Sequence, residues 1–209
     1  MKMKQKMEQE KSNSKWTMKN IITLAIFTFI IVVIINFDSM LLNVIATPLG
    51  ALYIAAGVSA VICGPFYMVM MNKIAKRGAF FFTCLLSGLL FLLTGYFFST
   101  VIFIVVGVVG EICMLGKNAY HRFSRNMIGY YIYMLGYISG LLLPMLLFRQ
   151  QYLDWYSSYS DGGSVDVMLQ FFDSPSGPLG APGIMTVGCV IGALIGRFIL
   201  TRHIKKARI

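Results

Sequence analysis

A single acidic side chain interrupts the long apolar part of this sequence and is the first candidate for chemistry. Glu111 directly follows the uncharged run 78–110 and stands six residues before Lys117. A carboxylate in apolar surroundings could bind an ion or a substrate, or it could pair with a basic side chain. Its closeness to Lys117 and to the basic segment 122–125 favours a structural or subunit-contact role, and ligand binding stays the alternative.

Aromatic and polar side chains form a second set of candidates, in segments that separate the apolar runs. The longest of these segments, 149–180, is rich in Tyr, Trp and Phe and also contains several Asp. Stacking rings together with a few hydrogen-bonding groups suit a binding site for a small planar molecule. Tyr and Trp also gather at membrane interfaces without binding a ligand, and composition alone favours neither interpretation. The candidate ligand-binding residues are Asp38, Asn43, Tyr96, Phe97, Tyr152, Asp154 and Trp155.

Motifs for catalysis and for metal or cofactor binding are absent from the sequence. It contains no Walker A motif, no H-E-x-x-H and no G-x-S-x-G. The four cysteines all lie in apolar runs without the spacing of metal ligands, so we expect no metal site and no cofactor. An enzyme that used Glu111 would need a second polar group at the same depth, which the sequence does not supply. We therefore expect a protein that is not an enzyme.

The composition indicates that lipid rather than water surrounds most of the chain. Of its 209 residues, 57% are hydrophobic and only 12% are charged, about half the charged fraction of a typical soluble domain. The formal charge of +10 could suggest nucleic acid as a partner. The basic residues, however, cluster between long uncharged runs, as they do in the cytoplasmic flanks of membrane helices. We therefore expect a lipid bilayer and no nucleic acid.

Uncharged windows and basic clusters together predict the membrane topology. The windows are 20–37, 39–72, 78–110, 126–148 and 174–196. A helix needs about 20 residues to cross the hydrocarbon, and Lys and Arg prefer cytoplasmic loops. The second window then holds one crossing after an apolar outer segment, where Pro48 and Gly50 interrupt helical structure, and the third window holds two. The predicted helices are 19–36, 52–75, 79–97, 101–117, 126–148 and 181–201.

The sequence therefore predicts an all-α integral membrane protein with six transmembrane helices and both termini in the cytoplasm. The membrane domain, 19–203, has two long outer loops, 37–51 and 149–180. It lies between a basic cytoplasmic segment, 1–18, and a basic cytoplasmic tail, 204–209.

Small residues at four-residue spacing occupy one face of two of these helices. In the last helix they are Gly188, Gly192 and Gly196, and in the fifth helix they are Gly136 and Gly140. Such spacing lets helix backbones approach closely, which favours packing over contact with a substrate. The partner of these faces, another helix of the chain or another subunit, is open.

Short segments in a fixed order carry a resemblance to a known family. The chain resembles the Trep_Strep family, which is grouped with the substrate-binding S components of energy-coupling factor (ECF) transporters. None of the segments is diagnostic alone, but their order and spacing follow all six helices. They are ITLAIFTF at 22–29, GPF at 64–66, KIAKRG at 73–78, LTG at 93–95, GE at 110–111, GY at 136–137, LP at 143–144 and GALIGR at 192–197.

The resemblance implies an S-component-like bundle that binds a small vitamin-like or metabolite ligand at the extracellular face of a bacterial cell membrane. It also implies a membrane-embedded T component and two cytoplasmic ATPase subunits as partners. S components typically dock through A-x-x-x-A on the first helix. Here Ala25 is followed by Phe29 at the second position, and Ala56 with Ala60 offers a substitute. The alternative function is a membrane-embedded structural or interaction subunit without a ligand of its own.

Overall fold

The computed structural model describes residues 16–116, 119–158 and 162–204. Regular structure within these residues is entirely helical. Lys117, most of the N-terminal basic segment (1–15), the tail residues 205–209 and part of the long loop (159–161) lie outside the described residues. The helices are α1 (Met18–Ile45), α2 (Pro48–Ile74), α3 (Ala79–Leu93), α4 (Phe97–Cys113), α5 (Phe123–Leu147), α6 (Arg149–Ser157), α7 (Gly162–Asp173) and α8 (Ser176–Ile199).

The prediction of an all-helical membrane protein is confirmed, because the described residues form several long apolar helices. Four helices, α1, α2, α5 and α8, are long and apolar enough to cross a membrane. Helices α3 and α4 are also apolar but have only 15 and 17 residues, fewer than the about 20 that a perpendicular crossing needs. Six crossings and the side on which the termini lie stay predictions.

Helix α1 is longer than predicted, because the segment 37–51 is not a loop. The helix continues from the predicted end at residue 36 through to Ile45. Its polar side chains bond back to carbonyl oxygens one turn earlier: Asn36 donates to Val32 at 2.9 Å and Ser39 to Ile35 at 2.7 Å. Polar side chains that hydrogen-bond to carbonyl oxygens of their own helix can be accommodated within it, so these polar residues do not mark the end of the helix.

Pro48 begins α2 instead of interrupting helical structure, and this corrects the second predicted boundary from 52 to 48. Thr47 is the N-cap, and its hydroxyl accepts a hydrogen bond from the Gly50 amide at 3.2 Å. Proline fits the first helical position because its missing N–H would have no partner there. The connection between α1 and α2 is therefore limited to the two residues 46 and 47.

The predicted outer loop 149–180 is also largely helical. It contains α6 and α7, and α8 begins at Ser176 rather than at 181. In α7, Val165, Met168, Leu169 and Phe172 recur at the i, i+3, i+4, i+7 spacing of an amphipathic helix. Met168 packs with Met145 at the end of α5 and with Tyr152 of α6 in a small apolar cluster separate from the main core.

The long helices alternate in direction and give the bundle two chemically different ends. The turns α2–α3 and α4–α5 and the end of α8 form one end, which we call the basic end. The end formed by the turns α1–α2 and α3–α4 together with α6 and α7 is called the cavity end. Every described Lys and Arg except Arg149 lies at the basic end, in the positions Lys19, Lys73, Lys76, Arg77, Arg122, Arg125, Arg197 and Arg202.

Helices α2 and α8 form the closest pair of the bundle, and α5 packs across them around buried aromatic rings. Tyr67, Tyr130 and Tyr133 are fully buried there. Large apolar side chains on the outer faces of the helices are exposed instead, as expected where lipid replaces water.

Candidate ligand-binding site

A cavity of about 320 Å³ opens at the cavity end of the bundle. This volume lies at the lower end of the range of about 300–1,000 Å³ that small-molecule pockets occupy. All helices from α1 to α7 contribute to its wall, and α6 and α7 bring Tyr152, Tyr156 and Met168. The other lining residues are Ile35, Asn36, Ser39, Met40, Asn43, Ala51, Leu52, Ala55, Ala56, Phe91, Tyr96, Ser99, Tyr137, Ile138, Gly140 and Leu141.

Three of the seven residues predicted from the sequence to bind a ligand line this cavity. They are Asn43 of α1, Tyr96 of the α3–α4 turn and Tyr152 of α6. These residues are far apart in sequence, and the fold brings them together around one volume.

The other four predicted residues, Asp38, Phe97, Asp154 and Trp155, do not line the cavity. Phe97 is 58% exposed. Asp154 is an exposed residue on α6 that accepts a hydrogen bond from Gln150 at 3.2 Å. Trp155 packs behind Tyr152, with 5.5 Å between the ring centroids, so it supports the wall instead of forming it.

The polar face of α1 contributes two lining residues that the sequence prediction missed. Asn36, Ser39 and Asn43 are spaced at i, i+3 and i+7, so they share one face of the helix. The Ser39 hydroxyl also lies 3.1 Å from the Tyr137 hydroxyl of α5, within hydrogen-bonding distance. The polar spacing could have revealed this face, but only if the helix had been predicted to continue beyond residue 36.

Aromatic rings make up much of the cavity wall. Phe91 and Tyr137 are nearly parallel, with ring centroids 6.1 Å apart and an interplanar angle of 19°. Tyr152 and Tyr156 are also nearly parallel, with centroids 6.3 Å apart and an angle of 13°. Tyr96 meets Phe91 edge to face at 6.1 Å. Flat faces of this kind offer stacking surface, and the tyrosine hydroxyls offer hydrogen bonds.

Asp38 lies beside the cavity, buried between α1 and α2. It is 6% exposed, and its Oδ2 accepts a hydrogen bond from the Ser59 hydroxyl at 2.6 Å. Its other oxygen, Oδ1, has no hydrogen-bond partner among the described residues. Asp38 precedes the lining residue Ser39, and Ser59 follows the lining residue Ala56 by one helical turn. A carboxylate therefore stands next to the cavity without being part of its surface.

Glu111 has a different environment, at the basic end of the bundle. Its carboxylate accepts hydrogen bonds from the backbone amides of Gly78 at 2.7 Å and Phe81 at 3.2 Å, and from the Tyr120 hydroxyl at 2.9 Å. Gly78 is the N-cap of α3 and has no side chain to cap the helix, so Glu111 of α4 supplies the acceptor. A negative charge at a helix N-terminus is favourable.

Tyr120 completes this arrangement from the α4–α5 connection. Burial, together with the adjacent Glu111 carboxylate, raises the pKa of Tyr120, so its hydroxyl keeps its proton and donates it. No lysine or arginine in the described part of the chain forms an ion pair with Glu111, and Lys117 lies outside it. The structure therefore favours a structural role for Glu111, as the cap of α3, over ligand binding.

A comparison with family models decides the family of this chain. The model described as "hypothetical bacterial integral membrane protein (Trep_Strep)" matches residues 18–206. The chain belongs to the Trep_Strep family. With its apolar helices it is a multi-pass bacterial membrane protein. Comparisons with curated proteins and with solved structures gave no match.

The glycine face of α8 in this Trep_Strep protein packs within the chain. A Cβ at Gly188 would overlap the Gly57 carbonyl oxygen of α2, and one at Gly192 would overlap the Ala60 carbonyl oxygen. Gly196 of α8 lies against Met68 of α2, and a Cβ at Gly196 would lie 2.8 Å from Met68 Cβ. The partner that the sequence left open is therefore α2.

The glycine face of α5 packs against α4. A Cβ at Gly136 would lie 3.1 Å from Val106, and one at Gly140 would overlap the Ser99 hydroxyl. Gly140 also lines the cavity, so the close approach of the two helices shapes part of the wall.

The two helix faces considered for docking in this Trep_Strep protein differ in exposure. Ala56 and Ala60 are 5% and 0% exposed, which corrects the suggestion that they offer a substitute docking motif, because α2 lies inside the bundle. Ala25 lies on the exposed face of α1, and Phe29 on that face is 57% exposed. Of these two faces, the one on α1 is exposed and the one on α2 is not.

Proposed function

We propose that this Trep_Strep protein is the substrate-binding S component of an ECF-type importer and captures a small vitamin-like or metabolite ligand at the extracellular face. The observation that carries the proposal is the cavity of about 320 Å³ at the end of the bundle opposite the basic residues. By the preference of Lys and Arg for the cytoplasm, that end faces outwards. A ligand would reach the cavity from outside, next to α6 and α7, which contribute to its wall.

The wall of the cavity supports capture of a ligand without chemical conversion. It combines aromatic faces with neutral hydrogen-bonding side chains, among them Asn43, Ser39 and the tyrosines. Such a surface orients a planar molecule by stacking and a few hydrogen bonds. ATP hydrolysis would take place in two separate cytoplasmic ATPase subunits, since the sequence has no Walker A motif.

The exposed face of α1 is the proposed contact for the membrane-embedded T component. It carries Ala25 and Phe29 together with the exposed apolar residues Ile22, Ile26 and Val33. An apolar helix face can pack equally against lipid and against another membrane helix. This lets an S component separate from the T component and reassociate with it during transport.

Copurification from native membranes tests the assembly and the ligand together. The full-length protein should bring down a T component and ATPases, and native mass spectrometry should detect a retained small molecule. If neither is found, the chain is instead a structural or interaction subunit without a ligand.

Two adjacent substitutions test the location of the site. Tyr96 lines the cavity and Phe97 does not, although both side chains are about half exposed or more. Tyr96→Ala should weaken binding of the copurified ligand by about tenfold, which corresponds to about 1.4 kcal/mol, whereas Phe97→Ala should leave it unchanged. Equal effects of the two substitutions would place the ligand elsewhere.

A further inference from the structure

The charges around the cavity restrict the kind of ligand that it suits. None of the described residues that line it has a charged side chain. Arg149 is the one described basic residue at this end of the bundle, and it pairs with Asp173 at 2.7 Å. An anionic ligand would therefore lose its water without gaining a counter-charge, which is costly in an apolar site.

Asp38 adds an acidic side chain next to this neutral surface. Its carboxylate accepts a hydrogen bond from Ser59 at 2.6 Å, and Oδ1 has no hydrogen-bond partner among the described residues. No described basic side chain forms an ion pair with it. An uncompensated carboxylate in the interior of a membrane protein is expensive and marks a functional position by default.

The aromatic wall favours the same sign of ligand charge. Five aromatic residues, Phe91, Tyr96, Tyr137, Tyr152 and Tyr156, line the cavity. Each ring face carries a partial negative charge, which attracts a cation within about 6 Å of the ring centre. Rings and carboxylate therefore act in the same direction.

We infer that the cavity takes a small planar organic cation, such as an aromatic ring that carries a protonated aminoalkyl group, and that Asp38 supplies its counter-charge. This inference rests on the proposed function, because it names the substrate class of the same site. The rings contact the flat part of the ligand, and the hydroxyls and amides on α1 orient its polar groups. Asp38 acts from its buried position next to the lining residue Ser39.

The test compares probes that differ in charge but share a ring system. Phenyl, indole and quinoline compounds, each with an aminomethyl, a hydroxymethyl or a carboxylate group, are titrated at neutral pH into the purified full-length protein. Binding is followed by the shift in melting temperature and by calorimetry. Amines should bind more tightly than the matching alcohols, and carboxylates should bind least. A carboxylate that binds as tightly as its amine, or a panel in which no amine binds, overturns the inference.

Substitution of Asp38 identifies the source of the preference. Asp38→Asn should weaken amine binding by tenfold or more and leave the alcohols unchanged. The control Asp154→Asn removes the same charge from an exposed position on α6 and should change neither. If Asp38→Asn binds the amines like the unmodified protein, Asp38 is not the counter-charge. The charge ranking in the unmodified protein needs no variant, so a misfolded variant leaves the test decisive.

The outcome is separable from that of the proposed function. Copurification of the T component and the ATPases with the unmodified protein depends on the α1 face and not on ligand charge. If these partners copurify and the probes show no preference for amines, the chain is an S component for a neutral or anionic ligand. The inferred substrate class is then wrong and the proposed function stands.

Discussion

The contact between α2 and α8 gives a sharp prediction for a single added methyl group. A Cβ at Gly192 would overlap the Ala60 carbonyl oxygen and lie 3.0 Å from the Val61 carbonyl oxygen. Both obstacles are backbone atoms, which cannot rotate away like a side chain, so Gly192→Ala has to push the two helices apart. By contrast, a Cβ at Gly183 of the same helix meets no atom within 4 Å.

These contacts set the sign and size of the two effects. Overpacking costs about 1–3 kcal/mol, and backbone obstacles place Gly192→Ala at about 3 kcal/mol. Alanine recovers about 1 kcal/mol through its better helix propensity, so the net loss is about 2 kcal/mol. A chain of this length loses about 2–4 °C in melting temperature per kcal/mol, so Gly192→Ala should melt about 4–8 °C lower. Gly183→Ala should melt at the same temperature as the unmodified protein or slightly higher.

The cysteines of the chain provide the assay. Cys63, Cys84 and Cys189 are buried in the bundle, so a thiol-reactive fluorescent dye gains access to them when the protein unfolds in detergent. Both glycine variants and the unmodified protein are heated with the dye under identical conditions. If Gly192→Ala and Gly183→Ala change the melting temperature in the same direction and by similar amounts, the close packing of α2 on α8 is refuted.

Two further predictions concern the basic end and the topology. Glu111→Ala leaves two backbone amides and a phenol without their acceptor and should lower the free energy of unfolding by about 2–4 kcal/mol. Glu111→Gln keeps an acceptor and should lose less. Thermal unfolding with the dye measures both variants, and an Ala variant as stable as the unmodified protein would exclude the capping role. A cysteine introduced at exposed Ser158 should react with a membrane-impermeant maleimide in intact cells, and one at exposed His121 should react only after the membrane is opened; the reverse pattern would invert the predicted orientation.

Much of the helix order was predictable because charge and hydrophobicity alone determine which segments enter lipid. The third and fourth helices were predicted at 79–97 and 101–117 and lie at Ala79–Leu93 and Phe97–Cys113, because the chain turns earlier, at residues 94–96, where Gly95 adopts a positive φ of 92°. The ends of α1 and α2 were not predictable from the same rules. Asn36 and Ser39 resemble an exit into water, and Pro48 resembles a helix breaker, until their local hydrogen bonds and position in the helix are known.

The cavity was only partly predictable, for a different physical reason. Asn43, Tyr96 and Tyr152 were identified because they lie near apparent loops, where aromatic and polar side chains attract notice. Phe91 and Tyr137 sit within apolar helices, and their sequence environment does not differ from that of Tyr133, which is a core residue. Only the relative rotation and spacing of the helices decides which ring faces a cavity and which faces the core.

Buried Asp38 and half-buried Glu111 show why the structure, and not the sequence, separates a structural carboxylate from a functional one. Glu111 receives three donors, each worth about 1.5–3 kcal/mol to a charged group, and these offset the cost of removing it from water. Asp38 accepts a hydrogen bond from Ser59, and its Oδ1 has no partner among the described residues, so more of the cost of removing it from water remains. If about 8 Å, the length of one and a half helical turns, separates the ligand cation from the Asp38 carboxylate, their attraction is about 2 kcal/mol at an effective dielectric constant of about 20. That energy corresponds to about 30-fold in affinity. This attraction is gained only when the cation is bound, so Asp38, which destabilises the fold, makes the cavity selective for cations.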